Sequence, residues 1–120
     1  MKDATLVLGA SLKPERYSNK AIKRLIANGL DVLAVGNREG VVENIPIITE
    51  KEHFENIDTV TLYLNPKRQK EYYDYIVGLA PRRVIFNPGT ENMEFIKMLE
   101  SQNIESELAC TLVLLATNQY

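Results

Sequence analysis

The fold is decided by the opening stretch Ala4-Thr5-Leu6-Val7-Leu8-Gly9-Ala10-Ser11, which continues as Leu12-Lys13-Pro14-Glu15-Arg16-Tyr17-Ser18. An apolar run ends at Gly9, a loop with two cations follows, and Ser18 is placed to cap a helix. A buried parallel strand reaches a helix N-terminus in this way, and that terminus presents unpaired N–H groups and a partial positive charge. The stretch therefore predicts a strand, an anion-binding loop and a helix, in that order.

Length and composition predict one domain over residues 1–120, because 120 residues that are 45% hydrophobic can build a single core. A net charge of -2 predicts no general attraction to nucleic acid or to an anionic membrane. No apolar run is long enough to span a bilayer, and the start lacks the positive region of a signal peptide, so we expect a cytoplasmic location. A single cysteine, Cys110, and a single histidine, His53, exclude an internal disulfide and a Cys- or His-rich metal site.

Apolar runs and helical periodicities alternate along the chain. The main strands are predicted over 4–9, 31–35, 59–64, 83–86 and 105–108, with a short β-like piece at 45–48. Helices are predicted from the Ser18 cap through 28, around 50–55, over 67–79, and from a Thr90 cap through 101, while 110–116 fits a helix or a strand. This alternation predicts an α/β fold, with a doubly wound parallel sheet of about five strands and helices on both faces.

Ligands of such sheets bind outside the carboxyl ends of the strands, where the strand order reverses. Four loops are expected at that edge: 9–18, 36–40, 65–66 and 87–90. The first loop lacks the G-x-G-x-x-G fingerprint, because Ser11 and Pro14 stand where the second and third glycines belong, and it has no P-loop Gly-Lys-Ser/Thr. These differences weaken a dinucleotide or nucleoside-triphosphatase interpretation.

Basic residues concentrate at this expected edge. Arg38 follows the second strand, where a NAD site would carry Asp or Glu, and an arginine there favours an additional phosphate, as in NADP or the 3′-phosphate of coenzyme A. Six of the 14 lysines and arginines lie just after the first three strands: Lys13, Arg16, Lys20, Arg38, Lys67 and Arg68. An acidic protein with cations at this edge predicts a small polyanionic ligand.

Several motifs occur in an order that is typical of one family. They are 7–11 with Pro14, Arg16 and Ser18; Gly29, Val35 and Asn37; 58–60; 87–92; and 109–115. With this order the chain resembles the CoA-binding protein family, which are small Rossmann-like domains similar to the N-terminal domain of the succinyl-CoA synthetase α subunit. The resemblance covers essentially the whole chain. Two departures concern the loops: Gly36 precedes Asn37 with Arg38 in place of the usual proline, and Asn65-Pro66 differs from the usual aliphatic-Pro ending.

The resemblance implies a set of ligand contacts. The phosphates and ribose would lie against Gly9, Ala10, Ser11, Arg16 and Ser18. Asn37 and Arg38 would stand at a further phosphate, Leu64 and Asn65 would flank the adenine or the pantetheine, and Asn87, Gly89 and Thr90 would lie across the cleft.

The resulting hypothesis is a binding module for coenzyme A or an acyl-CoA without catalytic activity of its own, because the phosphorylated histidine and the ATP-grasp partner of the synthetases lie outside this domain. Two alternatives stay open: an NADP(H)-binding enzyme or redox sensor, and a protein-interaction or dimerisation domain with a vestigial cleft. Cys110 is interpreted as a buried free cysteine. The alternative hypothesis is that its thiol lies near the cleft and exchanges with the thiol of CoA.

Overall fold

Seven strands form one sheet in the computed structural model, which describes residues 3–120. The strands are β1 (Ala4–Ala10), β2 (Val32–Gly36), β3 (Gly40–Val42), β4 (Ile45–Ile48), β5 (Ile57–Leu62), β6 (Arg83–Phe86) and β7 (Glu105–Leu108). Their order across the sheet is β3-β4-β2-β1-β5-β6-β7. All neighbouring pairs are parallel except β3 with β4, which are antiparallel. The doubly wound, Rossmann-like α/β fold is thus confirmed, with a sheet larger than the expected five or so strands.

Helices cover both faces of this sheet. They are α1 (Tyr17–Ala27), α2 (Pro66–Gln69), α3 (Tyr73–Leu79), α4 (Met93–Ser101) and α5 (Thr111–Ala116), and a 3-10 turn at Lys70–Tyr72 joins α2 to α3. One face of β1 packs through Val7 into a core that includes residues of α1 and α5. The other face packs through Leu6 and Leu8 into a core that includes residues of α3 and α4. Alternate residues of one buried strand therefore serve two separate cores.

The strand order reverses at the carboxyl end of β1, because the chain continues to β2 on one side and later returns as β5 on the other. One residue before that end, Gly9 has a φ of +96° and interrupts the register between β1 and β2. A Cβ at Gly9 would lie 2.9 Å from the carbonyl carbon of Tyr63, so any other residue would be strained and would collide with the chain leaving β5. The first strand was predicted to end at Gly9 but continues to Ala10, and the close approach requires the glycine inside the strand.

The small hairpin at one edge of the sheet was only half foreseen. The β-like piece predicted at 45–48 is β4, but no strand was predicted for residues 40–42, which form β3. The two strands are joined at Glu43 and Asn44, whose φ angles are 50° and 68°. Two successive left-handed residues are the conformation of a tight hairpin turn, which the sequence usually signals with Asn-Gly or Asp-Gly rather than Glu-Asn.

Two predicted helices differ in the structure. The helix expected around 50–55 is wrong: residues 49–56 are irregular, and Phe54 alone among 50–55 packs against the core. The helix expected over 67–79 is interrupted by the 3-10 turn, so that it consists of three short segments. The ambiguous segment 110–116 forms a helix, α5.

Both predicted helix caps are displaced. Arg16 occupies the capping position of α1 and provides no side-chain cap, while Ser18 is buried inside the first turn. Asn92, not Thr90, caps α4, because its Oδ1 accepts a hydrogen bond from the Phe95 N–H at 3.1 Å. The third main strand ends at Leu62 rather than at 64, which places Leu64 and Asn65 in the loop that follows β5.

The core under α4 provides a test of the fold. Phe95 is fully buried, stacks on Tyr73 with ring centroids 4.3 Å apart and meets Phe86 edge-on. Replacing Phe95 with alanine should lower the free energy of unfolding by about 3–5 kcal/mol, because it leaves a cavity in a packed core. Urea denaturation measures this change, and Met93→Ala, at an exposed position of the same helix, is the control. A loss for Phe95→Ala no larger than that for Met93→Ala would contradict the described packing.

Candidate functional site

A cleft of about 510 Å³ opens at the carboxyl edge of the sheet. The loops that follow β1, β2, β5 and β6 form its walls, and the first turn of α1 contributes as well. Most residues predicted from the sequence to form the site line this cleft, namely Gly9, Ala10, Ser11, Arg16, Ser18, Asn37, Arg38, Leu64, Asn65, Gly89 and Thr90. The fold therefore brings residues from four separate parts of the chain to one place.

Asn87 is the one predicted site residue that does not line the cleft. It is buried, and its amide is occupied by protein groups. Its Nδ2 donates to Thr61 Oγ1 at 2.6 Å and to the Leu62 carbonyl at 2.9 Å, while its Oδ1 accepts from the Thr111 N–H at 2.8 Å. Asn87 thus joins β5, the end of β6 and the start of α5, and supports the cleft from below.

Other lining residues were not singled out as site residues. They are Leu12, Lys13, Tyr17, Gly36, Tyr63, Arg68, Tyr72 and Pro88. Lys13 and Arg68 were already noticed as basic residues after strands. Gly36 carries a detectable signal, because a glycine in a buried strand often marks a close backbone approach, and here a Cβ would lie 2.2 Å from the Ala10 carbonyl oxygen. Tyr72 offered no such signal, since it enters the cleft wall through the unforeseen 3-10 turn.

The charge of the cleft is one-sided. Four of its lining residues are cations, Lys13, Arg16, Arg38 and Arg68, and none of the lining residues in the described part of the chain is Asp or Glu. Within residues 3–120, the side chains of Lys13, Arg16 and Arg38 form no hydrogen bond or ion pair, and all three residues are exposed. In a protein with a net charge of -2, this cleft is a local region of positive potential.

The loop after β1 is held in shape by its own hydrogen bonds. Asn19 is buried in α1 and donates from Nδ2 to the Ser11 carbonyl at 2.9 Å, while the Lys13 N–H donates to Ser11 Oγ at 3.1 Å. Because no side chain caps α1, and its first turn carries no carboxylate, the positive end of this eleven-residue helix is not neutralised. The loop and helix start therefore form an ordered wall with a positive helix end.

A hydrogen bond joins the loops after β2 and β5 at the cleft. Arg68 Nη2 donates to Asn37 Oδ1 at 2.8 Å, and both residues are exposed. The main chain of Arg68 is fixed as well, because its N–H donates to the side chain of Asn65, the cap of α2, at 2.9 Å. Asn65 thus orders the start of α2, which carries a guanidinium to the far side of the cleft.

The wall opposite the first loop is held by a fully buried glutamine. Gln69 Nε2 donates to the carbonyls of Leu64 and Thr90, each at 2.8 Å, so it ties the loop after β5 to the loop after β6. Gln69 Oε1 accepts from Asn92 Nδ2 at 3.0 Å. Thr90, expected as a helix cap, instead donates from Oγ1 to the Asn87 carbonyl at 2.7 Å and shapes the turn.

Two tyrosines in the cleft wall remain neutral near neutral pH. Burial raises the pKa of Tyr63 to about 12, and burial also raises the pKa of Tyr72. His53 and Cys110 are not among the lining residues; His53 is exposed, and Cys110 is half-buried at the capping position of α5. The hypothesis that the Cys110 thiol exchanges with a ligand stays a prediction.

Two classes of site receive no support from residues 3–120. No helix there is both long and apolar enough to cross a membrane. Across the same residues, no group of three or more His, Cys, Asp and Glu side chains could hold a metal ion.

Comparisons with known proteins agree with this fold. The family model of the CoA binding domain matches residues 3–116. A solved structure described only as an uncharacterized protein is 43% identical, with a TM-score of 0.96 over 100% of this chain and 99% of that chain. A hypothetical protein from Pyrococcus horikoshii OT3 is 26% identical, with a TM-score of 0.84 over 93% of this chain and 80% of that one. No match was found among curated proteins.

The same fold also occurs inside a larger enzyme. The dinucleotide-forming acetyl-coenzyme A synthetase 1 of Ca. Korarchaeum cryptofilum is 11% identical and has a TM-score of 0.72. The similarity covers 88% of this chain but 25% of the synthetase chain. At this identity the comparison shows the fold alone.

The buried glutamine yields a test of how the cleft is held. Gln69→Ala removes the donor to two carbonyls and the acceptor of Asn92, so we expect the free energy of unfolding to fall by about 2–4 kcal/mol, since each buried polar group left unpaired costs about 1–3 kcal/mol. Chemical denaturation measures the loss, and Gln102→Ala, at an exposed position, is the control. Hydrogen exchange should also speed up in the loops 63–66 and 87–91 of the variant. Unchanged stability and exchange would show that Gln69 does not hold the two loops together.

Proposed function

Because the chain belongs to the family of CoA-binding domains, we propose that its cleft binds coenzyme A or an acyl-CoA. The observation that carries the proposal is the charge of the cleft, which combines four cations with no lining carboxylate among the described residues. Coenzyme A carries a diphosphate and a separate phosphate on its ribose, so it needs cations at more than one point. A cleft with cations on the loops after β1, β2 and β5 meets that need.

The parts of the ligand are assigned to the walls by their chemistry. The diphosphate lies against Gly9–Ser11 and the start of α1, where ordered main chain and an unneutralised helix end favour an anion. The ribose phosphate lies at the end of β2, near Arg38, because the residue after the second strand contacts the ribose in doubly wound folds. The adenine occupies the cleft between the loops after β2 and β5, and Gly89 and Thr90 form the opposite wall.

We further propose that this chain is a binding module without catalysis of its own. The lining residues in the described part of the chain include no cysteine, and no carboxylate or histidine that could activate the lining hydroxyls of Ser11, Ser18 and Thr90. The two lining tyrosines with raised pKa values are poor proton donors and acceptors near pH 7. The partner of this protein is thus a small molecule that it binds without converting it. We also propose a cytoplasmic location.

Calorimetric titration of CoA, dephospho-CoA, acetyl-CoA and NADPH tests the proposal. We expect CoA and acetyl-CoA to bind, dephospho-CoA to bind more weakly, and NADPH to bind least, since the first loop lacks the dinucleotide glycines. Binding of NADPH in preference to CoA would favour a redox function. Arg38 is compatible with that function, because an arginine at this position suits the additional phosphate of NADPH as well as that of CoA. Absence of binding by all four ligands would overturn the proposal and favour a protein-interaction domain.

Substitution of Arg38 tests where the ribose phosphate binds. Arg38→Ala should lower the affinity for CoA by about tenfold, because one charge-assisted contact is lost. The affinity for dephospho-CoA should be nearly unchanged. The matched control is Arg24→Ala, because Arg24 is an exposed cation of α1 that does not line this cleft. This variant should change neither affinity. Equal weakening of both ligands by Arg38→Ala would show that Arg38 does not contact the ribose phosphate.

A further inference from the structure

We propose that Arg68 is a second cation of the ribose-phosphate site and that Asn37 is the residue that positions it. The inference rests on the proposed function and deepens it, because it assigns the preference for a phosphorylated ribose to one residue of the loop after β2 and one residue of α2. The observation behind it is the 2.8 Å hydrogen bond from Arg68 Nη2 to Asn37 Oδ1.

Arg68 is ordered in a way that the other cleft cations are not. Its main-chain N–H is fixed by the Asn65 side chain, and its guanidinium is fixed by Asn37. In contrast, the side chains of Lys13, Arg16 and Arg38 make no hydrogen bond or ion pair with any residue of the described chain. A cation already held in place loses less conformational entropy when a ligand binds, so Arg68 can contribute more affinity than its exposed position suggests.

The contact with Asn37 orients the guanidinium without neutralising it. An amide oxygen accepts a hydrogen bond but carries no formal charge, and Arg68 forms no ion pair with a described carboxylate. A guanidinium has five N–H donors, of which this contact uses one. The remaining donors are enough for the two-point contact that arginine makes with a phosphate.

The position of Asn37 says which phosphate is contacted. Asn37 directly follows β2, and the end of the second strand is where a doubly wound fold contacts the ribose. Arg68 reaches this corner from the start of α2, whereas Arg38 belongs to the β2 loop itself. The two arginines therefore approach the ribose phosphate from two loops, and the diphosphate at the β1 loop is left to Arg16, Lys13 and the helix start.

The experiment is a double-mutant cycle read with two ligands. CoA and dephospho-CoA are titrated into the wild-type protein, Arg68→Ala, Asn37→Ala and the double variant. Lys67→Ala is the matched control, because it removes the neighbouring exposed cation, which does not line the cleft. Thermal unfolding of each ligand-free variant checks that the fold is retained.

We expect Arg68→Ala to lower the affinity for CoA by roughly tenfold and the affinity for dephospho-CoA by less than about twofold, since only CoA carries the contacted phosphate. Asn37→Ala should weaken CoA by roughly threefold, and the double variant should be no weaker than Arg68→Ala, because Asn37 acts through Arg68. Arg68→Lys keeps the charge but not the fork, so it should bind CoA with intermediate affinity, and in its background Asn37→Ala should have no effect. Lys67→Ala should bind both ligands as the wild type does.

Three outcomes overturn different claims. If the wild type binds CoA but Arg68→Ala weakens CoA and dephospho-CoA equally, or weakens neither, Arg68 does not contact the ribose phosphate and the proposed function stands. If the two single losses add fully in the double variant, Asn37 does not position Arg68. If the wild type does not bind CoA, the proposed function and the role of Arg68 both fail.

Discussion

The binding edge depends on main-chain contact between the ends of the three central strands. Gly9 lies so close to the chain leaving β5 that a Cβ would be 2.9 Å from a main-chain carbon of Tyr63, and a Cβ at Gly36 would be 2.2 Å from the Ala10 carbonyl oxygen. The Tyr63 N–H also donates to the Leu8 carbonyl at 2.9 Å, which extends the pairing of β1 and β5 beyond the strand. Because main chain rather than side chain fills these contacts, the loops after β1, β2 and β5 start from fixed positions. The cleft is the space that opens where they diverge.

The walls of this cleft are held by uncharged amides, and its charges are left for a ligand. Gln69, Asn87 and Asn92 are buried and form hydrogen bonds between loops and helix starts. The buried arginine of the fold, Arg83, lies at the start of β6, at the opposite end of the sheet, where it pairs with Glu107 at 2.9 Å and lies over the Tyr120 ring. Arg83, which pairs within the protein, is thus separated from the cations of the cleft by the length of the strands. A structural carboxylate in the cleft would have weakened its attraction for anions.

The parts of this molecule that the sequence predicts well are those with local causes. β1, β6 and β7 follow from short runs bounded by turn residues, and the gathering of four loops follows from the rule that parallel strands end at one edge. The caps were misplaced because Ser18 and Thr90 satisfy the local pattern, while Arg16 and Asn92 occupy the positions set by packing. Contacts between distant residues gave no signal: Arg68 and Asn37 are 31 residues apart, and Gln69 is 21 residues from Thr90. Asn87 was placed in the right loop, yet its burial depends on α5, a segment whose type the sequence left open.

The uneven distribution of charge also bears on how a ligand arrives. With a net charge of -2, the protein as a whole repels an approaching polyanion, whereas the cleft, with four cations and no lining carboxylate among the described residues, attracts it. Such a field turns the anion toward the cleft before contact, so encounters are more often productive than random collisions would be. Dissolved salt screens this attraction over roughly 8–10 Å at physiological strength. For an anionic ligand of this cleft, the rate of capture would therefore be more sensitive to ionic strength than the rate of release, and the absence of carboxylates would raise the speed of binding as well as the affinity.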